Sequence, residues 1–325
     1  MFKKLMILNL CLLFITGCSV NTPEEPKTPA ATTNTMTRNN HDYTFDVVSG
    51  ATNGRHEGIA YTGDEKWQRM MWSGRPEIGV VTGDYYFDSL DFNGGYIATV
   101  TVVTENNALQ LVEFDEISPQ NYYAPEWANR TKRTSGYANW QMDNGRTDTT
   151  LVTIVNAMTF LEYQMMTQNS LVGEFNAPAG SSTSLRGGFE PVAEKIAPRV
   201  EKPSNLYYIG VTESIGDGLY ARLGVIYNKQ DQSIYDVIYD EYFDDNPAAI
   251  TDPTLQQFYR QSKYHAREFE AVTQQPFRED VTALKDAVKQ QQTLDISIEN
   301  TAISVHYRTL AERVYQLSQE KMSEF

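Results

Sequence analysis

The stretch FDVVSGATNG, which begins at position 45, places two hydroxyl side chains around a glycine near the start of the chain. Thr52 follows Gly50 and Ala51, whose small size leaves room for a bulky reactant, and glycine permits backbone angles that other residues resist. Asp46 and Ser49 can hydrogen-bond to nearby backbone groups and so set a turn. These residue types fit either a turn without special chemistry or a site where another group is attached to the Thr52 hydroxyl.

The first residues have the layout of a secretory signal peptide. Lys3 and Lys4 precede an apolar run, Leu5 to Ile15, that is too short for a stable membrane-spanning helix. The run leads into ITGC, which ends at Cys18 and resembles the lipobox of bacterial lipoproteins. The resemblance implies that residues 1–17 are removed and that the acylated Cys18 thiol holds the chain to a membrane surface. The alternative is an ordinary signal peptide with an incidental cysteine.

The composition argues against several kinds of partner and site. The net charge is −15 over 325 residues, and a surface of this sign suits neither nucleic acid nor anionic lipid headgroups. The second cysteine, Cys11, lies in the segment expected to be removed, so we expect no disulfide, thiol nucleophile or cysteine metal site. The four histidines are widely scattered, which argues against a zinc site.

The chain after the cleavage site changes in composition before it becomes apolar. Residues 18–42 are rich in Thr, Pro, Asn and Glu and nearly free of large apolar side chains. Such a segment cannot bury enough apolar surface to fold, and it predicts an extended, disordered tether. The folded part is then expected to begin with a segment, 43–80, that carries the Ser-Gly-Ala-Thr motif.

An internal repeat follows this segment, and the length of the chain predicts about two domains. Gly94–Glu116 and Gly218–Glu241 each show an alternating strand, a polar turn and a second alternating strand. Alternation with one polar face predicts an antiparallel hairpin lying on a core. A looser match follows each hairpin, at Arg130–Trp140 and Arg260–Glu270.

An apolar stripe closes each copy. Residues 182–196 align without gaps on residues 300–314, and in both the apolar positions recur at a spacing typical of one helix face. The paired positions are Leu185, Phe189, Val192, Ala193 and Ile196 against Ile303, Tyr307, Leu310, Ala311 and Val314. The sequence therefore predicts an α+β fold with two tandem domains, 81–200 and 204–325, each an antiparallel sheet with helices.

The opening stretch aligns on the same region of the repeat. Residues 45–59 match residues 175–189 at a constant offset, so that Gly50 meets Gly180 and Thr52 meets Ser182. In the second domain the corresponding place reads LDISIENT, and the glycine has become Ile298. The chain thus holds three versions of one strand–turn–helix element, and the first keeps Ser-Gly-Ala-Thr.

Asp-x-x-Ser-Gly-Ala-Thr resembles the flavinylation motif of the FMN-binding domain family, which includes flavin-carrying lipoproteins of Gram-positive bacteria. In that family a flavin transferase uses FAD to join FMN, through its phosphate, to the last Thr or Ser of the motif. The resemblance implies that Thr52 is the acceptor and that Asp46, Ser49, Gly50 and Ala51 fill the recognition positions. The order of elements over residues 81–325 also resembles the lipoprotein branch of the family.

The motif departs from the family in its position. In the family it lies late in its domain, after the sheet, whereas here the intact copy precedes both domains. Thr52 could be a flexible flavin handle or a remnant of a lost domain. Alternatively, its segment could dock on domain 81–200 and replace that domain's own copy of the motif, residues 179–182, which we call the worn copy because it keeps only the glycine and a hydroxyl. Ser182, in the worn copy, is a weaker candidate for a second acceptor.

The function implied by the resemblance is that of a lipid-anchored electron carrier on the extracytoplasmic face of the cell membrane. FMN on Thr52 would accept electrons from a quinone-linked or other membrane donor and pass them to outside acceptors, without the protein being an enzyme itself. The alternative is a non-catalytic binding or scaffold lipoprotein with degenerate flavin domains. In either case the apolar segment before Cys18 could also be released as a signalling peptide.

Two pairs of carboxylates recur at one place in the repeat. Asp115-Glu116 and Asp240-Glu241 end the second strand of each predicted hairpin. We expect both pairs to face solvent at strand ends rather than to act in acid–base catalysis.

Overall fold

Six antiparallel strands form the main sheet of the protein. The computed structural model describes residues 32–39, 41–48, 74–144, 153–178, 182–297 and 303–325, all within one unit that spans Ala31–Phe325. The strands are β1 (Thr32–Arg38), β2 (His41–Val48), β3 (Gly79–Phe92), β4 (Tyr96–Glu105), β5 (Ala108–Ile117), β6 (Ala177–Pro178), β7 (Leu206–Gly216), β8 (Leu219–Asn228) and β9 (Ile234–Phe243). The main sheet has the order β5-β4-β3-β7-β8-β9, and a smaller sheet has the order β1-β2-β6.

Helices follow each set of three strands. They are α1 (Tyr137–Asp143), α2 (Ile154–Gln168), α3 (182–200), α4 (Phe269–Thr273), α5 (Phe277–Gln291) and α6 (Ser304–Lys321), and α3 consists of the consecutive segments Ser182–Ser184, Leu185–Phe189 and Glu190–Val200. Among the described residues the order of three strands, a loop and helices therefore occurs twice. The prediction of a mixed α+β fold with antiparallel sheets is confirmed.

The predicted hairpins are β4–β5 and β8–β9. Both are antiparallel ladders along most of their length. The β4–β5 turn has two central residues, Asn106 and Asn107, with φ of 53° and 62°. Asparagine tolerates this left-handed conformation, and a two-residue turn of this kind matches the twist of the strands it joins.

The two apolar stripes lie on α3 and α6, as the sequence predicts, except that Ile303 directly precedes α6, and all ten positions are buried. In the first half they pack with side chains of β4 and β5, and in the second half with side chains of β7, β8 and β9. Each half of the chain therefore has a core of its own.

A helix also covers each outer strand of the main sheet. Asn169, the left-handed cap residue of α2, accepts a hydrogen bond from the backbone N–H of Leu109 in β5 at 2.8 Å. Gln292 has the same place after α5 and accepts from the N–H of Ile234 in β9 at 2.6 Å. Both outer strands thus bond to a helix cap at their first residues, which protects an edge that could otherwise pair with another chain.

Strand β3 joins the two halves by changing partner along its length. Its residues 79–84 pair with β7, and its residues 84–92 pair with β4. Gly83 lies at the change with a φ of 144°, and a Cβ at this position would collide with the backbone oxygen of Thr104. This position requires a glycine, because only glycine combines this backbone angle with such a close approach.

The main sheet is curled rather than flat. Arg222 in β8 donates a hydrogen bond to Glu113 in β5 at 2.7 Å, although three strands separate β8 from β5. In a flat sheet four strand spacings would put them about 19 Å apart. The curl therefore brings the outer part of the first half against the second half.

We expect Gly83→Ala to lower the free energy of unfolding by about 3 kcal/mol or more, because backbone strain is added to a collision with Thr104. Gly79→Ala is the matched control: its φ is 138°, and no atom lies within 4 Å of a Cβ built there. We expect about 1 kcal/mol of loss for this change. Urea unfolding of both variants measures the difference. Equal losses would mean that the close approach of Gly83 to Thr104 does not limit which residue fits there.

The N-terminal hairpin corrects the predicted tether. The disordered segment was expected to extend over 18–42, but residues 32–38 form β1, which pairs with β2 from Arg38↔His41 to Thr32↔Val47. Met36 and Tyr43 of this hairpin form a small buried cluster with Phe160 of α2. A polar sequence adopts a strand here because it pairs with β2 and buries two apolar side chains on the first half.

Candidate functional site

The structure describes two of the predicted site residues, each by its backbone. Asp46 lies in β2 opposite Thr33, and Ser182 is the first residue of α3. The remaining ones lie outside the described residues: Cys18, Ser49, Gly50, Ala51 and Thr52.

Strand β2 leads into the intact motif and lies beside the strand that leads into the worn one. Val48, the last residue of β2, is opposite Ala177, and Val47 is opposite Pro178 at the end of β6. Four residues, which span at most about 14 Å of chain, lead from Val48 to Thr52. Strand β2, which directly precedes the intact motif, therefore pairs with the strand that directly precedes the worn copy of the first half.

The first turns of α3 lie against the side chain of Phe92. Residues Leu185–Phe189 form a π-helical turn, a feature that is frequent at functional sites. A Cβ at Gly188 would lie 2.9 Å from the Phe92 ring and 3.1 Å from Ala98. The glycine thus allows the start of α3 to approach the sheet closely.

A buried ion pair lies at the end of β5. Lys132 Nζ is 2.6 Å from Glu116 Oε1, and the two residues are 5% and 1% exposed. The ammonium group lies 4.7 Å from the ring centroids of Tyr96 and Tyr137 and 5.2 Å from that of Tyr122. Three aromatic faces and one carboxylate therefore stabilise a charge that burial alone would disfavour. We call these five residues the tyrosine cage.

The cage continues into a larger group of aromatic rings. Tyr122 and Tyr137 are joined by a hydrogen bond between their hydroxyls. The ring centroid of Trp140 lies 5.2 Å from that of Tyr137 and 6.0 Å from that of Tyr123. Tyr123 is 57% exposed. Together they form a continuous aromatic path from the buried lysine to the protein surface.

The second half contains the corresponding ion pair, and there both oxygens of the carboxylate have partners. Lys263 Nζ is 2.5 Å from Glu241 Oε2. The other oxygen, Oε1, accepts from the Tyr239 hydroxyl at 2.8 Å and faces His306 Nδ1 at 2.9 Å. Both oxygens of this carboxylate are thus partnered by side chains of the second half.

The first half lacks counterparts of Tyr239 and His306, the two side chains that contact Oε1 of Glu241. Gly188 stands at the position of His306 in the alignment of the two helices, and Phe114 stands at the position of Tyr239. Glu116 Oε2 is buried and has no hydrogen-bond partner among the described residues. The first half thus has an unpartnered carboxylate oxygen where the second half has two donors.

The prediction that the two carboxylate pairs face solvent is wrong. Glu116, Asp240 and Glu241 are 1%, 5% and 0% exposed. Phe114 and Glu116 are two residues apart on β5, and side chains two residues apart share one face of a strand. That spacing was the available signal for the burial of Glu116.

The aspartates of both pairs tie the end of a strand to the following loop. Asp115 Oδ1 accepts from the backbone N–H groups of Lys132 and Arg133, and Asp240 Oδ1 accepts from that of Tyr264. Burial raises the pKa of Asp115 to about 6 and that of Asp240 to about 7, while these hydrogen bonds act in the opposite direction. The aspartates have a structural role that is the same in both halves.

A second polar cluster lies where the curled sheet meets α2. Arg222 bonds to Glu113 and to the Tyr208 hydroxyl, and Arg133 bonds to Glu162. They line a cavity of about 510 Å³. Because the carboxylates of this cluster pair with its arginines, we assign the cluster a structural role, which is to keep the sheet curled, rather than a role in ligand binding.

Comparison with known proteins gives no family assignment. No protein-family model, no curated protein and no solved structure matches the chain. Within the described ranges no helix has the length and apolarity to cross a membrane. The same ranges contain no group of three or more His, Cys, Asp or Glu side chains that could hold a metal ion.

Proposed function

We propose that the protein is a lipid-anchored, extracytoplasmic flavoprotein that carries FMN on Thr52. The flavin accepts electrons from a donor in the membrane and passes them to acceptors outside the cell. Acylated Cys18 attaches the chain to the bilayer, and a surface with a net charge of −15 excludes nucleic acid as a partner. The function is that of an electron carrier, and the protein's part is to hold and tune the flavin.

The observation that carries the proposal is the position of β2. This strand ends at Val48, directly before the Ser-Gly-Ala-Thr motif, and it pairs with β6, directly before the worn motif. A remnant of a lost domain would not be expected to pair with β6, and a flexible flavin handle would not require a paired strand directly before the motif. The docked position favours the interpretation that the intact motif replaces the worn one of the first half.

The attachment reaction is a transfer of FMN from FAD by a separate transferase. The Thr52 hydroxyl oxygen forms a bond to the phosphorus of the FMN part, and the pyrophosphate bond of FAD breaks. AMP leaves, and the hydroxyl proton is released to solvent or to a base of the transferase. The product is a phosphodiester that keeps the cofactor on the chain outside the cell, where lost flavin could not be replaced.

We interpret the folded part as two tandem FMN-binding-like domains, 81–200 and 204–325, that arose by duplication. Support comes from a detail that the fold alone does not require. Each half ties an Asp-Glu pair at a strand end to a hydroxyl–lysine pair in the next loop: Asp115, Glu116, Thr131 and Lys132 in the first half, and Asp240, Glu241, Ser262 and Lys263 in the second. A shared ancestor explains two copies of this arrangement.

The alternative, a binding or scaffold lipoprotein with degenerate flavin domains, is favoured by one feature of the second half. There His306 and Tyr239 contact the carboxylate of Glu241, whereas the corresponding Glu116 of the first half has an unpartnered oxygen. We therefore assign a non-binding, structural role to the second half and a single flavin to the chain.

The proposal is tested by producing the protein with and without a flavin transferase of this type and separating it under denaturing conditions. We expect a fluorescent flavin band that migrates with the polypeptide only when the transferase is present, because a phosphodiester survives denaturation. A colourless band in both samples would reject the flavoprotein and leave the scaffold lipoprotein.

A further inference from the structure

We propose that the cavity lined by β3, β5 and α2 binds a small carboxylic acid with an apolar body. The carboxylate pairs with the guanidinium of Arg38, and the apolar body lies against Ile78, Val80 and Tyr163. The inference goes beyond the proposed flavin, because it concerns a separate site whose lining the structure describes and does not involve Thr52.

The cavity has room for such a molecule. Its volume is about 510 Å³, which falls within the range of about 300–1,000 Å³ that is typical of small-molecule sites. Residues of β3, β5, β7, β8 and α2 line it, together with the end of β1. Because these strands come from both halves of the chain, we expect the curled sheet to set the shape of the cavity.

Two of the three arginines that line the cavity have a carboxylate partner of their own. Arg133 donates two hydrogen bonds to Glu162, and Arg222 donates one to Glu113 at 2.7 Å. Burial acts to lower the pKa of both arginines, but these carboxylates raise it above its usual value. Both charges are therefore compensated within the protein, which fits the structural role of this cluster.

The third arginine, Arg38, is less well compensated. Its Nη1 lies 3.6 Å from Glu162, which already pairs with Arg133, and 3.6 Å from Glu77, whose side chain is 59% exposed. Both distances are too long for a hydrogen bond, and water screens an exposed carboxylate. Burial, together with the charge of Arg133, lowers the pKa of Arg38 more than Glu162 raises it. An anion in the cavity would supply the counter-charge that this arginine lacks.

Arg38 also has hydrogen-bond donors to spare. A guanidinium carries five N–H donors. Within the described residues the side chain donates one hydrogen bond, from Nη2 to the backbone oxygen of Arg75 at 3.0 Å, and Nε has no partner. The side chain lines the cavity and is 12% exposed, so a ligand can contact it. A carboxylate suits this group, because its two oxygens can accept two parallel hydrogen bonds from one guanidinium.

The other part of the lining is apolar and partly exposed. Ile78, Val80 and Tyr163 are 53%, 40% and 37% exposed, and all three line the cavity. Leu111 and Met166 also line it and are half-buried. Single exposed apolar side chains are common on proteins, whereas several at one cavity mark a place where an apolar group binds. Removal of this surface from water would drive the binding of such a group.

The two parts of the lining together favour a monocarboxylate. A phosphate monoester carries about −1.5 to −2 charges at neutral pH, which is more than one arginine neutralises. A neutral apolar molecule would leave the charge of Arg38 without a counter-ion. A small polar anion would leave Ile78, Val80 and Tyr163 in water. A single negative charge on an apolar body satisfies both the arginine and the apolar surface.

The experiment titrates the full chain, produced without a flavin transferase, with naphthalene-2-carboxylate and measures the heat of binding. The comparison ligands are the neutral naphthalene-2-carboxamide and the more highly charged 2-naphthyl phosphate. We expect one molecule of the carboxylate to bind per chain. We expect both comparison ligands to bind at least about tenfold more weakly, because neither forms a balanced charge pair with Arg38.

Variants of the full chain locate the site. Arg38→Gln removes the charge, so it should weaken binding of the carboxylate at least about tenfold and change binding of the amide little. Ile78→Ser reduces the apolar lining, so it should weaken both ligands by a similar factor, about three- to tenfold. Ile97→Ser is the matched control, because Ile97 is an exposed isoleucine of β4 outside the lining, and it should bind as wild type does.

The Ile78→Ser variant keeps the test informative if Arg38→Gln does not fold, because it changes an exposed side chain. Urea unfolding of each variant shows whether it is folded. Sedimentation velocity of wild type and Ile78→Ser shows whether a second copy of the chain covers the apolar part of the lining instead.

Several results would overturn the inference. These are no binding of the carboxylate to wild type at about 1 mM, equal binding of carboxylate and amide, or tighter binding of the phosphate. Binding that neither Arg38→Gln nor Ile78→Ser weakens would place the ligand elsewhere. A wild-type dimer that Ile78→Ser dissociates would assign the apolar surface to contact between two copies. None of these results bears on covalent flavin, so this inference and the proposed function fail independently.

Discussion

The Thr52→Val protein is expected to carry no covalent flavin when it is produced with the transferase, whereas the Ser182→Ala protein is expected to carry as much as wild type. Valine keeps the branched shape of threonine and removes the hydroxyl that forms the phosphodiester. Ser182 belongs to the worn copy, whose neighbours no longer provide the Ser-Gly-Ala-Thr sequence. The flavin content of each protein is measured by its absorbance after denaturation.

A conservative change distinguishes loss of the acceptor from loss of recognition. Thr52→Ser keeps a hydroxyl at the same place and should restore attachment. Flavin that persists in Thr52→Val and disappears in Ser182→Ala would place the acceptor in the worn copy. It would also make the N-terminal motif a remnant.

The second large effect concerns stability. Glu162 of α2 is 2% exposed, receives two hydrogen bonds from Arg133, and accepts from the backbone N–H of Phe114 at 2.8 Å. Arg38 of the N-terminal hairpin lies 3.6 Å from the same carboxylate. We expect Glu162→Gln to lower the free energy of unfolding by about 3–5 kcal/mol, because it leaves buried arginine charge without its counter-ion.

Glu190→Gln is the matched control for this change. Glu190 pairs with Arg186 one turn away on α3, and that arginine is 36% exposed. A partly exposed pair one helical turn apart contributes about 0.5 kcal/mol, so we expect little change in urea unfolding. Similar losses for the two variants would show that Glu162 does not hold the hairpin, α2 and β5 together.

Much of the main sheet and its helices could be predicted from the sequence, because these elements follow simple periodicities. The alternation in Gly94–Glu116 and Gly218–Glu241 gave both hairpins, and the stripe from Leu185 to Ile196 gave the buried face of α3. Such patterns are local, and each half has its own core, so the distant parts of the chain do not override them.

The N-terminal hairpin could not be predicted in the same way. TTNTMTR, which forms β1, has one large apolar residue and reads as a polar tether. It forms a strand because β2 pairs with it on one side and with β6 on the other. The hairpin is held on the first half by β6 and Phe160, which lie more than a hundred residues further along the chain, and no local pattern reports these contacts.

The open carboxylate could be predicted only in part. The period of two along β5 places Glu116 on the face of Phe114, and the helix alignment already pairs Gly188 with His306. The contact between His306 and Glu241 could not be inferred from the sequence, since these residues are 65 positions apart. Without that contact, the difference between glycine and histidine has no visible consequence.

The most direct test of the central claim uses the tryptic peptide Asn39–Arg55 of protein produced with the transferase. Trypsin cuts after Arg38 and Arg55, so this peptide contains Thr52 and the whole motif. We predict that its mass exceeds that of the bare peptide by FMN less one water, and that fragmentation places the addition on Thr52. A peptide of unmodified mass from folded, co-produced protein would contradict the account.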